Sequence, residues 1–212
     1  MTFITFEGPE GAGKSTQIKR LRERLVDAGH NVTLTREPGG APEAEALRGL
    51  LLDPEKTWSP LAEALLMNAA RDAHWHATIA PALAAGEVVL CDRFFDSTRA
   101  YQHSVDAQTL HTIHKSVVPR LPDLTLLFDL PVSVGLERAS ARGAADRFEN
   151  KGLDYHERVR ATFLAIAEGE TERFVIVDAA ESVDRVTGAV VKAVHERLPR
   201  LLGAPHGSDP AP

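Results

Sequence analysis

Short apolar runs alternate along this chain with longer stretches of helical periodicity. The runs lie at residues 2–6, 31–35, 87–91, 124–129 and 174–178. Runs of this length predict buried strands, and the intervals between them are long enough to hold crossover helices. Strands that alternate with helices form parallel sheets covered on both faces. The pattern therefore predicts a doubly wound α/β fold, with a parallel five-stranded sheet and helices on both faces.

Three stretches carry the clearest helical patterns. Apolar residues recur at helical spacing over 18–28, and the pattern stops at Gly29. The longest helix is predicted at 60–85 and the last at 182–198, where four valines share one face. We expect both of these helices to pack against the sheet.

Length and composition limit the class of protein. The 212 residues suit one domain, predicted at 1–202, and the segment at 203–212 is rich in Gly, Pro and Ala without periodicity, so we expect a disordered tail. A formal charge of −6 argues against electrostatic binding of nucleic acid over a broad surface. No run of about 18 apolar residues exists to span a bilayer. A single cysteine, Cys91, and a start on a strand rather than an export signal favour a cytoplasmic protein.

The segment from Gly8 to Ser15, which reads GPEGAGKS, follows the first predicted strand and opens the first predicted helix. Its glycines, followed by Lys and Ser at fixed spacing, match the phosphate-binding P-loop. Small residues let backbone N–H groups converge on phosphate oxygens, while Lys14 reaches the outer phosphates and the Ser15 hydroxyl can ligate Mg²⁺. The motif predicts a P-loop NTPase. The residues expected to contact ATP are Gly8, Glu10, Gly11, Ala12, Gly13, Lys14, Ser15 and Thr16.

Polar motifs follow the next two strands of the predicted sheet. Ligands of open parallel sheets gather at the carboxyl ends of the strands, so these motifs are candidates for the site. Arg36, in TREPGG after the second strand, is placed to pair with a phosphate. After the third strand, Asp92 is the expected partner of Mg²⁺, directly or through water, and Arg93 is expected to grip the phosphate that receives the transfer. A structural ion pair is the alternative, but the position at strand ends favours a site.

Three arginines surround a break of small residues at 143–145. Arg138, Arg142 and Arg147 follow a predicted helix, and the break predicts a mobile basic lid over about 138–152. The P-loop carries no arginine, so charge that develops on a moving phosphoryl group needs a cation from elsewhere. Arg142 or Arg147 is the expected source, and a solvated helix face is the alternative.

On the longest predicted helix, Met67 and Arg71 stand four residues apart and therefore share one face. The apolar side chain could cover a planar base while the guanidinium donates to a carbonyl on its edge. A core methionine followed by a surface arginine is equally ordinary. The helix alone does not decide between these interpretations.

Taken together, these motifs resemble those of a known family. The P-loop, TREPGG, the stretch DRFFDSTRAYQ from Asp92 to Gln102 and the arginine-rich break occur in the order found in bacterial thymidylate kinases. The resemblance runs from about residue 2 to 198. It implies a homodimeric kinase that moves the γ-phosphoryl group of ATP to dTMP with Mg²⁺, giving dTDP.

The resemblance also implies roles for individual residues. Glu10 would bind the 3′-hydroxyl of the deoxyribose, Arg36 and Arg93 the phosphate of dTMP, and Arg71 a thymine carbonyl. Met67 stands where the family usually has a phenylalanine stacked on thymine, a departure that could alter base affinity. The implied dTMP-binding set is Glu10, Arg36, Met67, Arg71, Arg93, Ser97, Tyr101 and Gln102. The catalytic set is Lys14, Arg93, Arg142 and Arg147, and the Mg²⁺ set is Ser15 and Asp92.

Two other functions stand as alternatives. The nearest is a P-loop kinase for another nucleotide or a nucleoside, which acceptor specificity would separate. A nucleotide-dependent switch or ATPase that needs no small acceptor is disfavoured by the arginines on the acceptor side. Histidines such as His111 and His114, at one-turn spacing, make a weak case for a zinc site because no third ligand lies nearby in sequence.

Overall fold

The structure is a computed structural model, and it describes residues 1–141, 148 and 151–202. Within these ranges one parallel sheet has the strand order β2-β3-β1-β4-β5. The strands are β1 Thr2–Glu7, β2 Val32–Arg36, β3 Val88–Asp92, β4 Leu124–Asp129 and β5 Phe174–Asp178. The predicted doubly wound α/β fold with five parallel strands is confirmed. The predicted runs for β2 and β3 begin and end one residue early.

Helices connect successive strands, and one more helix follows the last strand. They are α1 Lys14–Asp27, α2 Pro42–Leu52, α3 Pro60–His74, α4 Ala80–Ala84, α5 Phe95–Tyr101, α6 Ala107–Val117, α7 Val132–Ser140, α8 Leu153–Gly169 and α9 Val183–Arg197. The prediction of one regular helix at 60–85 is wrong in one respect. A π-helical turn at Trp75–Ile79 separates α3 from α4. Both end residues of this turn lie in the core beneath the sheet, so the wider turn keeps two large apolar side chains buried.

The two faces of the sheet bury different apolar layers, as the alternation of side chains along a strand requires. On one face, Ile4 and Phe6 of β1 pack in a cluster that includes Leu21 of α1 and Val190 of α9. On the other face, Phe3 packs against the π-helical turn at Trp75–Ile79 and against α4. Full burial of one such side chain stabilises the folded state by about 1.5–3 kcal/mol, so both layers contribute to the stability of the sheet.

The register of the sheet brings the predicted site motifs to one edge. Phe6 of β1 and Arg36 of β2 each pair with Asp92 of β3. The loops that follow these three strands therefore leave the sheet side by side, which is where ligands of parallel sheets bind. Among the described helices, none combines the length and the apolar character needed to cross a bilayer.

The P-loop packs closely against α7. Gly11 has a φ of 70°, and a Cβ atom at this position would overlap the carbonyl oxygen of Gly135 in α7. Only glycine fits both the backbone conformation and the space. This close contact packs the P-loop directly against the backbone of α7.

Candidate active site

A cavity of about 340 Å³ lies where the P-loop meets the carboxyl ends of β2 and β3. It brings together every described residue of the predicted site except Gly8, which lies just outside. The lining includes Glu10, Gly11, Ala12, Gly13, Lys14, Ser15, Thr16, Arg36, Met67, Arg71, Asp92, Arg93, Ser97, Tyr101 and Gln102. One continuous space therefore joins the predicted ATP-binding loop to the predicted acceptor side.

Lys14 is the buried cation of the P-loop. Its Nζ donates to the carbonyl oxygens of Gly8 and Pro9, at 3.1 and 3.0 Å. Burial, and next the positive charge of Arg93, lower the pKa of Lys14 to about 8. A cation held in this way gains strongly from a polyphosphate, because phosphate oxygens would offset both effects.

Ser15 and Asp92 form a cluster of oxygens at the start of α1. The Ser15 hydroxyl donates to Asp92 Oδ2 at 3.3 Å, and the buried Asp92 Oδ1 accepts no hydrogen bond from the described ranges of the chain. A buried carboxylate oxygen with an open lone pair, beside a hydroxyl, suits a hard cation that prefers oxygen ligands. The residues therefore fit Mg²⁺.

Arg93 connects β3 to the P-loop. Its backbone lies in the left-handed region with a φ of 69°, which is uncommon outside glycine. Its guanidinium donates to the carbonyl of Gly8 at 2.9 Å, to Ser97 Oγ at 3.1 Å and to Glu10 Oε1 at 2.7 Å. It also lies 5.0 Å from the centre of the Tyr101 ring. These contacts hold a permanent cation at the wall between the two halves of the cavity.

Glu7 supports this wall from below, and the sequence prediction missed it. Its carboxylate accepts from the backbone N–H of Phe94 at 2.8 Å and from the Ser97 hydroxyl at 2.6 Å. Burial, reinforced by the charge of Asp96, raises the pKa of Glu7 to about 7, although Arg93 opposes the shift. An acidic residue directly after an apolar strand was the available signal.

Arg71 is held at the floor of the cavity by four hydrogen bonds. Its Nε donates to Glu37 Oε2 at 2.8 Å, Nη1 to Asn68 Oδ1 at 2.8 Å, and Nη2 to Thr98 Oγ1 at 2.9 Å and to the carbonyl of Phe94 at 3.3 Å. The side chain is only 2% exposed. The alternative of a surface arginine is therefore wrong, and Arg71 is held in one orientation at the edge of the cavity.

Arg36 reaches the cavity from the opposite side. Its side chain is 52% exposed and forms an ion pair with Glu45 at 2.9 Å, while Glu45 also accepts from the backbone N–H of Gly40. Arg48, which the sequence prediction did not include, lines the same wall and donates to the carbonyl of Pro38 at 2.7 Å. This rim therefore carries two arginines, of which Arg36 is the more accessible.

Met67, Tyr101 and Gln102 form the remaining wall. Met67 is half-buried against a cluster that contains Tyr101. The Tyr101 hydroxyl donates to Glu10 Oε1 at 2.8 Å, so Glu10 binds both Tyr101 and Arg93 through one oxygen. Gln102 Nε2 donates to Glu63 Oε1 at 3.0 Å. The arrangement places an apolar thioether between polar groups.

The predicted lid is described only at its edges. Arg138 lines the cavity from the last turn of α7 and donates to the carbonyls of Ala179 and Ala180, at 2.8 and 3.3 Å. Arg142 and Arg147, the expected sources of charge for the transferred group, lie outside the described residues.

His74 and His114 are buried and serve in packing and hydrogen bonding. His74 is buried between Thr35 Oγ1 at 2.6 Å and Glu37 Oε1 at 3.1 Å. His114 packs edge-on against Phe95, and burial lowers its pKa to about 3. Within the described ranges, no group of three or more His, Cys, Asp or Glu residues is arranged to hold a metal ion.

Comparison with known proteins gives a consistent result. A sequence model of the thymidylate kinase family matches residues 6–190. The chain is 54% identical to the thymidylate kinase of Caulobacter vibrioides over 201 residues, which cover 92% of this chain and 97% of that protein. It is 50% identical to a thymidylate kinase of Pseudomonas fluorescens over 210 residues, covering 97% and 98% of the two chains.

The fold gives the same answer. The crystal structure of thymidylate kinase from Ehrlichia chaffeensis matches with a TM-score of 0.75 at 32% identity, covering 92% of this chain and 98% of that one. The resemblance noted in the sequence is thus confirmed by family, relatives and fold: the chain belongs to the thymidylate kinase family.

Proposed function

We propose that this chain transfers the γ-phosphoryl group of ATP to dTMP, giving ADP and dTDP. The observation that carries the proposal is the single cavity in which Lys14 of the P-loop and Arg93 of the acceptor wall both take part. A P-loop alone would serve any nucleotide-dependent protein. An acceptor wall with its own arginines, joined to that loop, supports transfer to a second bound phosphate.

The donor half of the site would use the P-loop. The residues from Gly8 to Thr16 would surround the phosphates of ATP with backbone N–H groups, and Lys14 would leave the carbonyls of Gly8 and Pro9 for the outer phosphates. Ser15 and Asp92 would hold Mg²⁺, directly or through water. When bound, this ion neutralises charge on the phosphates.

The acceptor half would hold the phosphate of dTMP between Arg93 and Arg36. Arg93 already has its orientation fixed by Gly8, Ser97 and Glu10. Arg36 is more exposed and would exchange part of its contact with Glu45 for phosphate. Two guanidinium groups from different strands would keep the attacking oxygen in line with the γ-phosphorus.

The nucleoside of dTMP would occupy the wall between α3 and α5. Met67 would cover the thymine ring, and Arg71 would donate to a thymine carbonyl. Glu10 would accept from the 3′-hydroxyl of the sugar, and the Tyr101 ring would lie against the sugar where a 2′-hydroxyl has no room. The hydrogen bond from Tyr101 to Glu10 supports this pairing of the two side chains at one end of the ligand.

The chemistry requires positioning and charge neutralisation rather than a general base. The second pKa of a phosphate monoester is about 6, so the acceptor is already an anion at neutral pH. An oxygen of dTMP forms a bond to the γ-phosphorus while the bond to the bridging oxygen breaks, and the bonding electrons leave with ADP. Arg142 or Arg147 would supply positive charge to the transferred group.

We also propose that the enzyme works as a homodimer in the cytoplasm and consists of one domain, 1–202, with a lid at about 138–152 and a tail at 203–212. Exposed Leu61 and Leu65, one turn apart on α3, support an apolar contact between two copies. Light scattering of the purified chain measures the mass in solution. A mass of about 23.0 kDa would argue for a monomer.

The function is tested by separating products from a mixture of the purified chain, ATP, MgCl₂ and dTMP. Equal amounts of ADP and dTDP are expected. ADP formed at the same rate without dTMP would favour an ATPase or a switch instead, and no dTDP with an active donor site would point to another acceptor.

A further inference from the structure

Two polar contacts connect α3 to α5 on either side of Met67. Arg71 of α3 donates to Thr98 of α5 at 2.9 Å, and Gln102, at the end of α5, donates to Glu63 of α3 at 3.0 Å. Glu63 and Arg71 each lie one helical turn from Met67, so the three side chains share a face of α3. The apolar cover is therefore flanked by one basic and one acidic residue.

The contact with Glu63 fixes the orientation of the Gln102 amide. A carboxylate can only accept hydrogen bonds, so the NH₂ edge of the amide must face Glu63. The carbonyl Oε1 then points to the opposite side. Within the part of the chain that the structure describes, the side-chain hydrogen bond of Gln102 is this donation from Nε2, which leaves Oε1 available as an acceptor.

The two sides of Gln102 open on different spaces. Gln102 and Tyr101 line both the active-site cavity and a second cavity of about 360 Å³, so they form the wall between them. Glu63 lines the second cavity but not the first. The NH₂ edge therefore faces Glu63 on the side of the second cavity, which leaves the carbonyl oxygen for a ligand in the active-site cavity.

Arg71 presents the complementary group. A guanidinium has five N–H groups. Within the described ranges, four of them are used by Glu37, Asn68, Thr98 and the carbonyl of Phe94, which leaves one N–H on Nη1 at the cavity edge. The cavity thus offers a fixed donor from α3 and a fixed acceptor from α5.

A donor beside an acceptor matches the edge of thymine or uracil, which carries a 4-carbonyl acceptor next to an N3–H donor. Cytosine presents the reverse order, a 4-amino donor next to an N3 acceptor. Building on the proposed function, we propose that Glu63 is a positioning residue that holds the Gln102 amide so that the site selects thymine-type bases over cytosine. Without Glu63, the amide could rotate and offer its NH₂ group to cytosine.

The test measures kcat/KM with dTMP, dUMP and dCMP for the wild type and for Glu63→Gln. An amide at position 63 can donate or accept, so it no longer fixes Gln102. The preference for dTMP over dCMP should fall about tenfold. The preference for dTMP over dUMP should not change, because both bases carry the N3–H. Glu43→Gln, which removes the same charge from an exposed position on α2, should change neither ratio.

Exchange of the two side chains provides a second measurement. In Gln102→Glu, two carboxylates face each other, and activity with dTMP should fall. In the double variant Glu63→Gln with Gln102→Glu, an amide again donates to a carboxylate, whose second oxygen can accept from N3–H. Activity with dTMP should then recover above that of Gln102→Glu alone. Recovery alone would also follow from a structural contact between positions 63 and 102, so the dTMP to dCMP ratio of the double variant decides: a ratio close to that of the wild type supports the positioning role, and a ratio as low as that of Glu63→Gln refutes it.

The outcomes separate the two proposals. If the wild type uses dTMP and the dTMP to dCMP ratio is the same in Glu63→Gln, the role of Glu63 is refuted while the function stands. A wild type that does not phosphorylate dTMP would refute the function itself, and the role of Glu63 with it.

Discussion

Arg93 and Glu10 form an ion pair of 2.7 Å that joins the end of β3 to the P-loop. Both side chains are mostly buried, at 16% and 18% exposure, and the Tyr101 hydroxyl donates to the same carboxylate oxygen. Removing one partner of such a pair takes away the opposite charge that offsets the burial of the other. In the proposed complex, this pair sets the distance between the sugar, which Glu10 would bind, and the phosphate, which Arg93 would bind.

Arg93→Ala should therefore abolish productive use of the acceptor. We expect kcat/KM for dTMP to fall by about 10³-fold, because a hydrogen-bonded cation in a closed site is lost. ATP binding, measured by titration calorimetry, should be retained. Arg20→Ala, which removes a partly exposed arginine bound to Asp184 and Thr187, is the matched control and should leave turnover unchanged. Normal turnover of Arg93→Ala would remove this residue from the site.

Glu7 makes stability depend on pH. Its pKa is about 7 in the folded chain against an ordinary value of 4.5, so between these values the folded state holds a proton that the unfolded state has released. The contribution of Glu7 to the free energy of unfolding is complete below pH 4.5 and is lost as the pH rises through 7. The slope is at most about 1.4 kcal/mol per pH unit.

The comparison of wild type with Glu7→Gln isolates this effect. Urea titrations at pH 5 and pH 8 give the free energy of unfolding of each protein. Relative to Glu7→Gln, the wild type should be less stable at pH 8 than at pH 5. A difference between the two proteins that does not vary with pH would show that Glu7 keeps an ordinary pKa.

Met67→Phe should strengthen dTMP binding. An aromatic ring stacked on a base adds about 0.5–1.5 kcal/mol, which corresponds to a dissociation constant lower by about two- to tenfold. Titration of dTMP into the protein measures this constant. Leu121→Phe, at a position that is 53% exposed, controls for the added ring. Unchanged or weaker binding in Met67→Phe would mean that Met67 does not cover the thymine ring.

The lid arginines should act on the rate rather than on binding. Arg142→Ala or Arg147→Ala should lower kcat by about 10³-fold while both nucleotides still bind, because a cation that meets charge in the transition state is lost. Arg185→Ala removes an arginine with a 74% exposed side chain and should have no effect. Full activity in both lid variants would place the necessary charge elsewhere.

Much of the fold could be predicted because it depends on local patterns. The apolar run at Leu124–Asp129 and the one at Phe174–Asp178 coincide with β4 and β5. The P-loop was predictable because its motif glycines, Gly8 and Gly13, have φ values of 138° and 77°, a backbone requirement that leaves glycines at fixed spacing in the sequence. The π-helical turn at Trp75–Ile79 was not predictable, because its apolar residues fit a regular helix equally well.

Contacts between distant segments could not be predicted in the same way. Glu37 and Arg71 are 34 residues apart, and Glu7 and Ser97 are 90 residues apart, yet each pair shares a short hydrogen bond in the buried wall. No spacing rule connects such partners, because the register of the sheet and the docking of α3 decide the contact. The sequence therefore indicated which residues line the cavity more clearly than which residues hold them in place.

If dTMP is the acceptor, ADP release must depend on the presence of dTMP. The purified chain is given ATP and Mg²⁺ with dTMP, dUMP, dCMP, dAMP, dGMP or UMP in turn, beside a control without acceptor. We expect fast release with dTMP, slower release with dUMP, and rates near the control with the others. Equal release without any acceptor, or a clear preference for a nucleotide other than dTMP, would contradict it.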